Sequence, residues 1–248
     1  MHKTTYFLSK SAPILILPIS FFFLFVKTIK MNTIIIYMII NKDLAYWVGV
    51  AQTDGYLKVY TERETSKTRF IFRLTVGRKS LPMLYKFQNL SDTLLNRKAK
   101  ICYYKSNDYE HYEFHIGIGK ILEVFRKLEI SFSKPPTPPA WSLGEPQFFG
   151  AYLAGVIDGD GNVKYRRPQY LQCVIRISSK KPPLELEEAI ENLLQCSVCI
   201  IKDRNAYSLE FCISHKNYDF IKNYVLPQLS LAYKKDKILY FLQMKWPQ

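Results

Sequence analysis

Two stretches, read in register, decide the fold: LAYWVGVAQTDG at residues 44–55 and GAYLAGVIDGDG at residues 150–161. Set on Ala45-Tyr46 and Ala151-Tyr152, they run without a gap through Gly49/Gly155, Val50/Val156, Asp54/Asp160 and Gly55/Gly161. In the second, Gly155 and Gly159 stand on one face of a helix; the first has Gly49 and Thr53 in the same places. Small residues at this spacing let two backbones come close. Helices packed along these faces would bring their C-terminal ends side by side, with Asp54 and Asp160 as neighbours. A carboxylate at a helix C-terminus faces the negative end of the macrodipole, and a second carboxylate beside it adds repulsion. A divalent cation, which prefers hard oxygen ligands, resolves that conflict. A single Asp-Gly before a strand is an ordinary turn; two in register, each opening a repeat, point to a site.

Outward from these stretches the order of elements repeats. Residues 69–76 (RFIFRLTV) alternate with period two: Phe70, Phe72, Leu74 and Val76 on one face, Arg69, Ile71, Arg73 and Thr75 on the other. Residues 81–95 carry apolar side chains at helical spacing, 99–105 and 112–118 read as strands, and 121–130 as a helix. Five prolines between 131 and 147 favour an extended spacer. Then a helix is expected at 148–159, strands at 163–167 and 170–178, a helix at 184–194, strands at 197–202 and 207–213, and helices at 218–225 and 231–246. The expected class is α+β, with two pseudo-twofold αββαββα subdomains. Their bounds are 41–130 and 148–248, joined by the linker 131–147.

Composition narrows the function. Lys plus Arg number 35 against 21 Asp plus Glu, a formal charge of +14. That excess points to a polyanion, nucleic acid or an anionic membrane surface. With 48% apolar residues a core is available and global disorder is excluded. The five cysteines follow no disulfide framework and are expected to be reduced thiols of an intracellular protein. Cys196 and Cys199 have C-x-x-C spacing, with only His215 near in sequence; core cysteines are the expectation. Residues 1–40 are read as an apolar leader outside the fold. Its run 12–26 (APILILPISFFFLFV) is short for a membrane span and is broken by Pro18. No A-x-A-like cleavage site follows it, and Met31 is an alternative start.

Residues 153–161 (LAGVIDGDG) resemble the nine-residue signature of the LAGLIDADG homing endonucleases; residues 47–55 (WVGVAQTDG) are similar in a degraded form, with Gln52 where the family often has an acid. The resemblance covers about 43–246 and implies the monomeric, two-motif form, with curved antiparallel sheets laid in the DNA major groove. It implies a site-specific, Mg²⁺-dependent double-strand endonuclease acting on a long, loosely palindromic target, intron-encoded and promoting intron mobility. Double-stranded DNA is the expected partner, with intron RNA as the alternative, and no small-molecule cofactor. The rival readings are an RNA maturase that assists splicing and an inactive DNA-binding regulator. The host compartment would be organellar or prokaryotic.

The same resemblance assigns metal binding and catalysis to Asp54 and Asp160, with Asp158 ranked behind them. It places a lysine near the cut phosphates: Lys234 or Lys235 in the second repeat, Lys134 in the first. A polar residue beside the metals falls at about Gly77 and Ser179. The alternating strands nominate DNA-facing residues. They are Lys58, Tyr60, Glu62, Lys67, Arg69, Arg73 and Thr75 in the first half, and Lys164, Arg166, Gln172, Arg176 and Ser178 in the second. Lys105, Lys202 and Arg204 extend the footprint at strand turns. Arg and Gln suit guanine and adenine edges, and Lys suits phosphates.

Overall fold

A computed structural model describes residues 40–62, 66–106, 109–119, 121–132, 135–166 and 168–246. The leader up to residue 39 and Lys134 lie outside the described residues. The first half runs α1 (Lys42–Thr53), β1 (Gly55–Thr61), β2 (Thr68–Val76), α2 (Leu81–Leu95), β3 (Lys100–Ser106), β4 (Tyr109–Gly117) and α3 (Leu122–Lys127). A short helix α4 (Ala140–Leu143) precedes the second half. That half runs α5 (Pro146–Asp160), β5 (Gly161–Arg166), β6 (Gln172–Ser179), α6 (Leu184–Leu194), β7 (Val198–Asp203), β8 (Ala206–Cys212), α7 (Tyr218–Phe220) and α8 (Ala232–Lys245). Each half holds one antiparallel sheet, in orders β1-β2-β4-β3 and β5-β6-β8-β7. Among the described residues no helix is long and apolar enough to cross a membrane.

Helix α1 starts where Asn41 Oδ1 accepts from Leu44 N at 2.8 Å, an N-cap that satisfies one orphan donor. Its residues from Leu44 to Thr53 are all buried, as are Phe149 to Asp158 of α5. A helix buried all round needs apolar or small residues on every face, which these stretches supply. The two helices cross at their glycines. A methyl on Gly49 would collide with Tyr152 O and stand 2.9 Å from Val156 N and 3.1 Å from Gly155 Cα. A methyl on Gly155 would collide with Tyr46 O and stand 3.0 Å from Val50 N and 3.2 Å from Gly49 Cα. The contacts are reciprocal, as a twofold axis through the crossing requires. One turn on, Gly159 faces Thr53 in the same way.

Around α1 the first half packs an aromatic core. Trp47 stacks on Phe87 (5.0 Å between centroids) and Phe125 (5.3 Å), meets Phe72 at 5.5 Å, and donates from Nε1 to Ser91 Oγ at 2.8 Å. Phe72, Leu74 and Val76 of β2 point into it. In the second half Cys173, Ile175 and Ile177 of β6 are buried in the same way.

Within the expected spacer Pro136, Pro138 and Pro139 are buried, and Pro139 has an extended backbone. Residues 140–143 form a helical turn, and α5 begins at Pro146, two residues early. Proline suits the first turn of a helix, where its missing N–H costs nothing. The expected helix at 218–225 is helical only to Phe220 and then widens into a π turn over Ile221–Val225.

Overpacking the crossing should be costly. Gly49→Ala and Gly155→Ala are each expected to lower stability by about 1–3 kcal/mol or more, because the obstacle is backbone. Gly77→Ala serves as control. Gly77 has an extended backbone and nothing within 4 Å of an added methyl, so its stability should change by no more than about 0.5 kcal/mol. Urea unfolding of the three variants checks this.

Candidate functional site

The crossing carries the C-terminal ends of α1 and α5 to one place. Asp54 is the C-cap of α1 and Asp160 the last residue of α5. A methyl on Gly159 would strike Thr53 Oγ1 and lie 3.5 Å from Asp54 Oδ2, so the missing side chain lets the Asp54 carboxylate sit against α5. Lys234, in the first turn of α8, is 3% exposed and donates to Ile157 O at 2.7 Å and Asp158 O at 2.8 Å. Burial pushes its ammonium down to about 8, against the opposing pull of Asp158, Asp54 and Asp160. The charges of Asp158 and Asp54 also reach Tyr233, whose hydroxyl is raised first by burial. Two carboxylates, the end carbonyls of a helix and one buried lysine therefore share the spot.

Hard oxygen donors on two adjacent helix ends fit a divalent cation such as Mg²⁺, which takes few protein carboxylates and completes its shell with water and phosphate. Asp54 and Asp160 would hold it. Among the described residues no group of three or more His, Cys, Asp or Glu could hold a metal ion, so Cys196 and Cys199 build no such site there.

Asp158 does other work than metal binding. It is buried, accepts from Tyr46 Oη at 2.7 Å, and accepts from the backbone N–H groups of Ser230 (2.7 Å) and Leu231 (3.3 Å) at the entry to α8. Burial raises its pKa, and these hydrogen bonds pull the other way. Gln52 is its pseudo-twofold mate. It accepts from Tyr152 Oη at 2.8 Å and from Thr137 N at 3.0 Å, and it donates to Ser131 O (3.0 Å) and Thr137 O (2.9 Å). Thus Tyr46 reaches Asp158 and Tyr152 reaches Gln52, each across the helix pair. The first half needs a donor as well as an acceptor there, and an amide has both. Gln52 is fitted to its partners, not degraded.

Lys235 is half-buried, and its charge is felt at Lys86. Lys86, on α2, lies 3.5 Å over the Tyr46 ring and donates to Gln228 O at 2.5 Å; burial pushes it down to about 8. Sequence reading missed Lys86 and the two tyrosines, although Tyr46 and Tyr152 occupy matched places in the aligned stretches.

Strand register sorts the remaining residues. In the first sheet Arg69, Ile71, Arg73 and Thr75 face away from the helices. Opposite them on β1 are Tyr60, Lys58 and Tyr56, and on β4 Gly117, His115 and Glu113. Glu62 accepts from Arg69 Nε (2.8 Å) and Nη2 (3.2 Å), and Lys67 O accepts from Glu62 N, closing the hairpin. Arg73 pairs with Glu113 at 3.0 Å. In the second sheet Gln172, Arg176 and Ser178 share the outer face with Arg166, Lys164 and Asn162 of β5. Two nominations at the hairpin ends differ in parity from the rest. Lys105 lies across from Glu110 (3.6 Å) and Lys202 across from Tyr207, each one residue out of step with the outer face. Arg204 sits in the β7–β8 turn with φ of 49°. Gly77 follows β2 and Ser179 ends β6, with Arg78, Lys79, Lys180 and Lys181 exposed beside them. Also missed were the acids on these faces, Glu113 and Glu210; outward strand parity was their available signal.

Protein-family models and curated proteins give no match to the chain. Solved structures do. I-DmoI in complex with DNA and Ca matches with TM-score 0.56 and 17% identity, over 80% of this chain and 97% of that one. The I-SmaMI LAGLIDADG homing endonuclease bound to cleaved DNA matches with TM-score 0.54 and 15% identity, over 83% and 90%. This chain has the LAGLIDADG fold. I-DmoI in complex with DNA and Mn is also similar, at TM-score 0.52 and 19% identity, over 74% and 96%. In LAGLIDADG terms, the aligned stretches form the paired central helices, and Asp54 and Asp160 stand at their ends.

Two outcomes test this site. Asp158→Asn and Gln52→Ala should each cost about 1–3 kcal/mol, since each leaves buried backbone groups unsatisfied; thermal melts read the loss. Lys234 has a folded pKa of about 8 against an ordinary 10.5. The fold disfavours its charged form fully below pH 8. Between pH 8 and 10.5 the unfolded chain holds a proton that the folded chain has lost, so stability rises with pH. Denaturant unfolding from pH 7.5 to 10 should show a smaller rise in Lys234→Met than in the unaltered chain.

Proposed function

We propose that this protein is a divalent-metal-dependent endonuclease that cuts both strands of double-stranded DNA at a long target with unlike half-sites. The observation that carries the reading is the meeting of Asp54 and Asp160 at the adjoining ends of the paired helices, from which two sheets with basic outer faces extend. The fold shared with I-DmoI and I-SmaMI, solved with DNA, supports it. So does a charge of +14. A bound Mg²⁺ would supply charge neutralisation for phosphodiester hydrolysis. Asp54 and Asp160 would hold the cation, one carboxylate from each half, beside the two strands. Lys234 fixes the end of α5 through its carbonyls and places positive charge next to both acids. Lys164, Arg166 and Arg176 on one sheet, with Lys58, Arg69 and Arg73 on the other, would grip the duplex and read base edges. We further propose that the protein acts as a monomer and that its gene lies in a mobile intron.

The test is cleavage of the uninterrupted insertion locus by the full chain, with and without Mg²⁺. Asp54→Asn and Asp160→Asn should each lower double-strand cleavage by about two orders of magnitude or more. Duplex affinity in a gel-shift titration should stay within a few-fold of the parent. Parental cleavage by either variant overturns the assignment. Splicing assistance without cleavage would move the reading to an RNA partner.

A further inference from the structure

Glu210 is the acid at the centre of the second sheet. It lies on β8, on the outer face, and is only 4% exposed. Three cations converge on it, Arg176 from the neighbouring β6 and Lys164 and Arg166 from β5 beyond it. Lys164 Nζ stands 2.8 Å from Oε1, Arg166 Nη2 bonds to Oε2, and Arg176 Nε stands 3.6 Å from Oε1. Burial would push the Glu210 carboxyl up; hydrogen bonds from Lys164 and Arg166 outweigh it and hold the group below its ordinary value. The carboxylate is therefore ionised inside a positive face that is meant to attract phosphate. Fewer acids would make that face a stronger polyanion binder, so affinity alone does not explain it.

A carboxylate there does two things. It reduces three positive charges to a net of two and repels phosphates. It also fixes the direction of each cation: Lys has three donors and Arg five, and those not used on Glu210 point outward in one arrangement. Phosphate contacts tolerate loose side chains, whereas bidentate readout of a base edge does not. Ordering the donors beforehand removes that cost from binding. The first sheet is built differently: across from Arg73 stands His115, where Arg176 has Glu210, and Arg73 pairs singly with Glu113 at 3.0 Å. We propose that Glu210 is a positioning residue that sets base discrimination in the second half-site, by holding Lys164, Arg166 and Arg176 as one rigid donor array; this rests on the DNA-binding reading above.

The experiment uses the full chain, a duplex of scrambled sequence titrated over a range of salt, and selection from a library of randomised duplexes. Glu210→Gln keeps the shape and an acceptor but loses the charge. It should bind the scrambled duplex roughly tenfold tighter at low salt, with a log–log salt slope steeper by about one. Base preference should fall at positions of one half-site and persist in the other. Glu210→Asp, charged but shorter, should keep the parental slope and lose the same preferences; it decides the matter if Glu210→Gln does not fold. Parental slope and parental preferences in a folded Glu210→Gln overturn the proposal, as do uniform losses at every duplex. If the unaltered chain binds no duplex, the DNA reading itself falls. If it binds and the variants match it, only the role of Glu210 falls.

Discussion

The approach of α1 and α5 at Gly49 and Gly155 is the constraint on which the rest depends. Each glycine lies against the backbone of the other helix, where no side chain fits. Close contact brings Tyr46 to Asp158 and Tyr152 to Gln52, across the pair. These bonds in turn hold the entry to α8 and the proline-rich segment before α4. One crossing thereby sets the helix ends, the segments that follow each sheet and the relation of the two halves. Hydrogen bonds between buried groups are worth most when every member is satisfied, and across this helix pair donors and acceptors match.

The same crossing creates an electrostatic debt at its end. Two acids stand where two helix macrodipoles are negative. The protein offsets it with its own groups. The N-terminus of α8 is turned towards α5 through Asp158, and Lys234 is buried among the carbonyls. A lysine that burial has pushed down to about 8 is kept near its acids at a cost in desolvation. Such a cost is usual where groups are placed for chemistry instead of stability.

The two sheets reach similar outer faces by different means. The first pairs its cations singly, Arg69 with Glu62 and Arg73 with Glu113, and sets aromatic groups beside them, Tyr104 stacked on His111 at 5.1 Å. The second gathers three cations on one buried acid. Unlike faces on a near-symmetric frame suit a target whose halves differ.

The sequence alone determined the repeat, the helices at 81–95 and 184–194, and the place of Asp54 and Asp160. Each follows from local periodicity and from two stretches that align without a gap. It also separated the faces of β2 and β6, because alternation is a property of the strand itself. Asp158, two residues before Asp160, and its counterpart Gln52 could not be read that way. Their roles depend on which backbone groups arrive from about 70 to 85 residues further along the chain. For Lys105 and Lys202 charge marked residues suited to DNA, and strand register decides which face of the sheet each joins. Only the tertiary structure paired Lys234 with the end of α5 and gathered three cations around Glu210, since both arrangements join strands and helices that no local pattern connects.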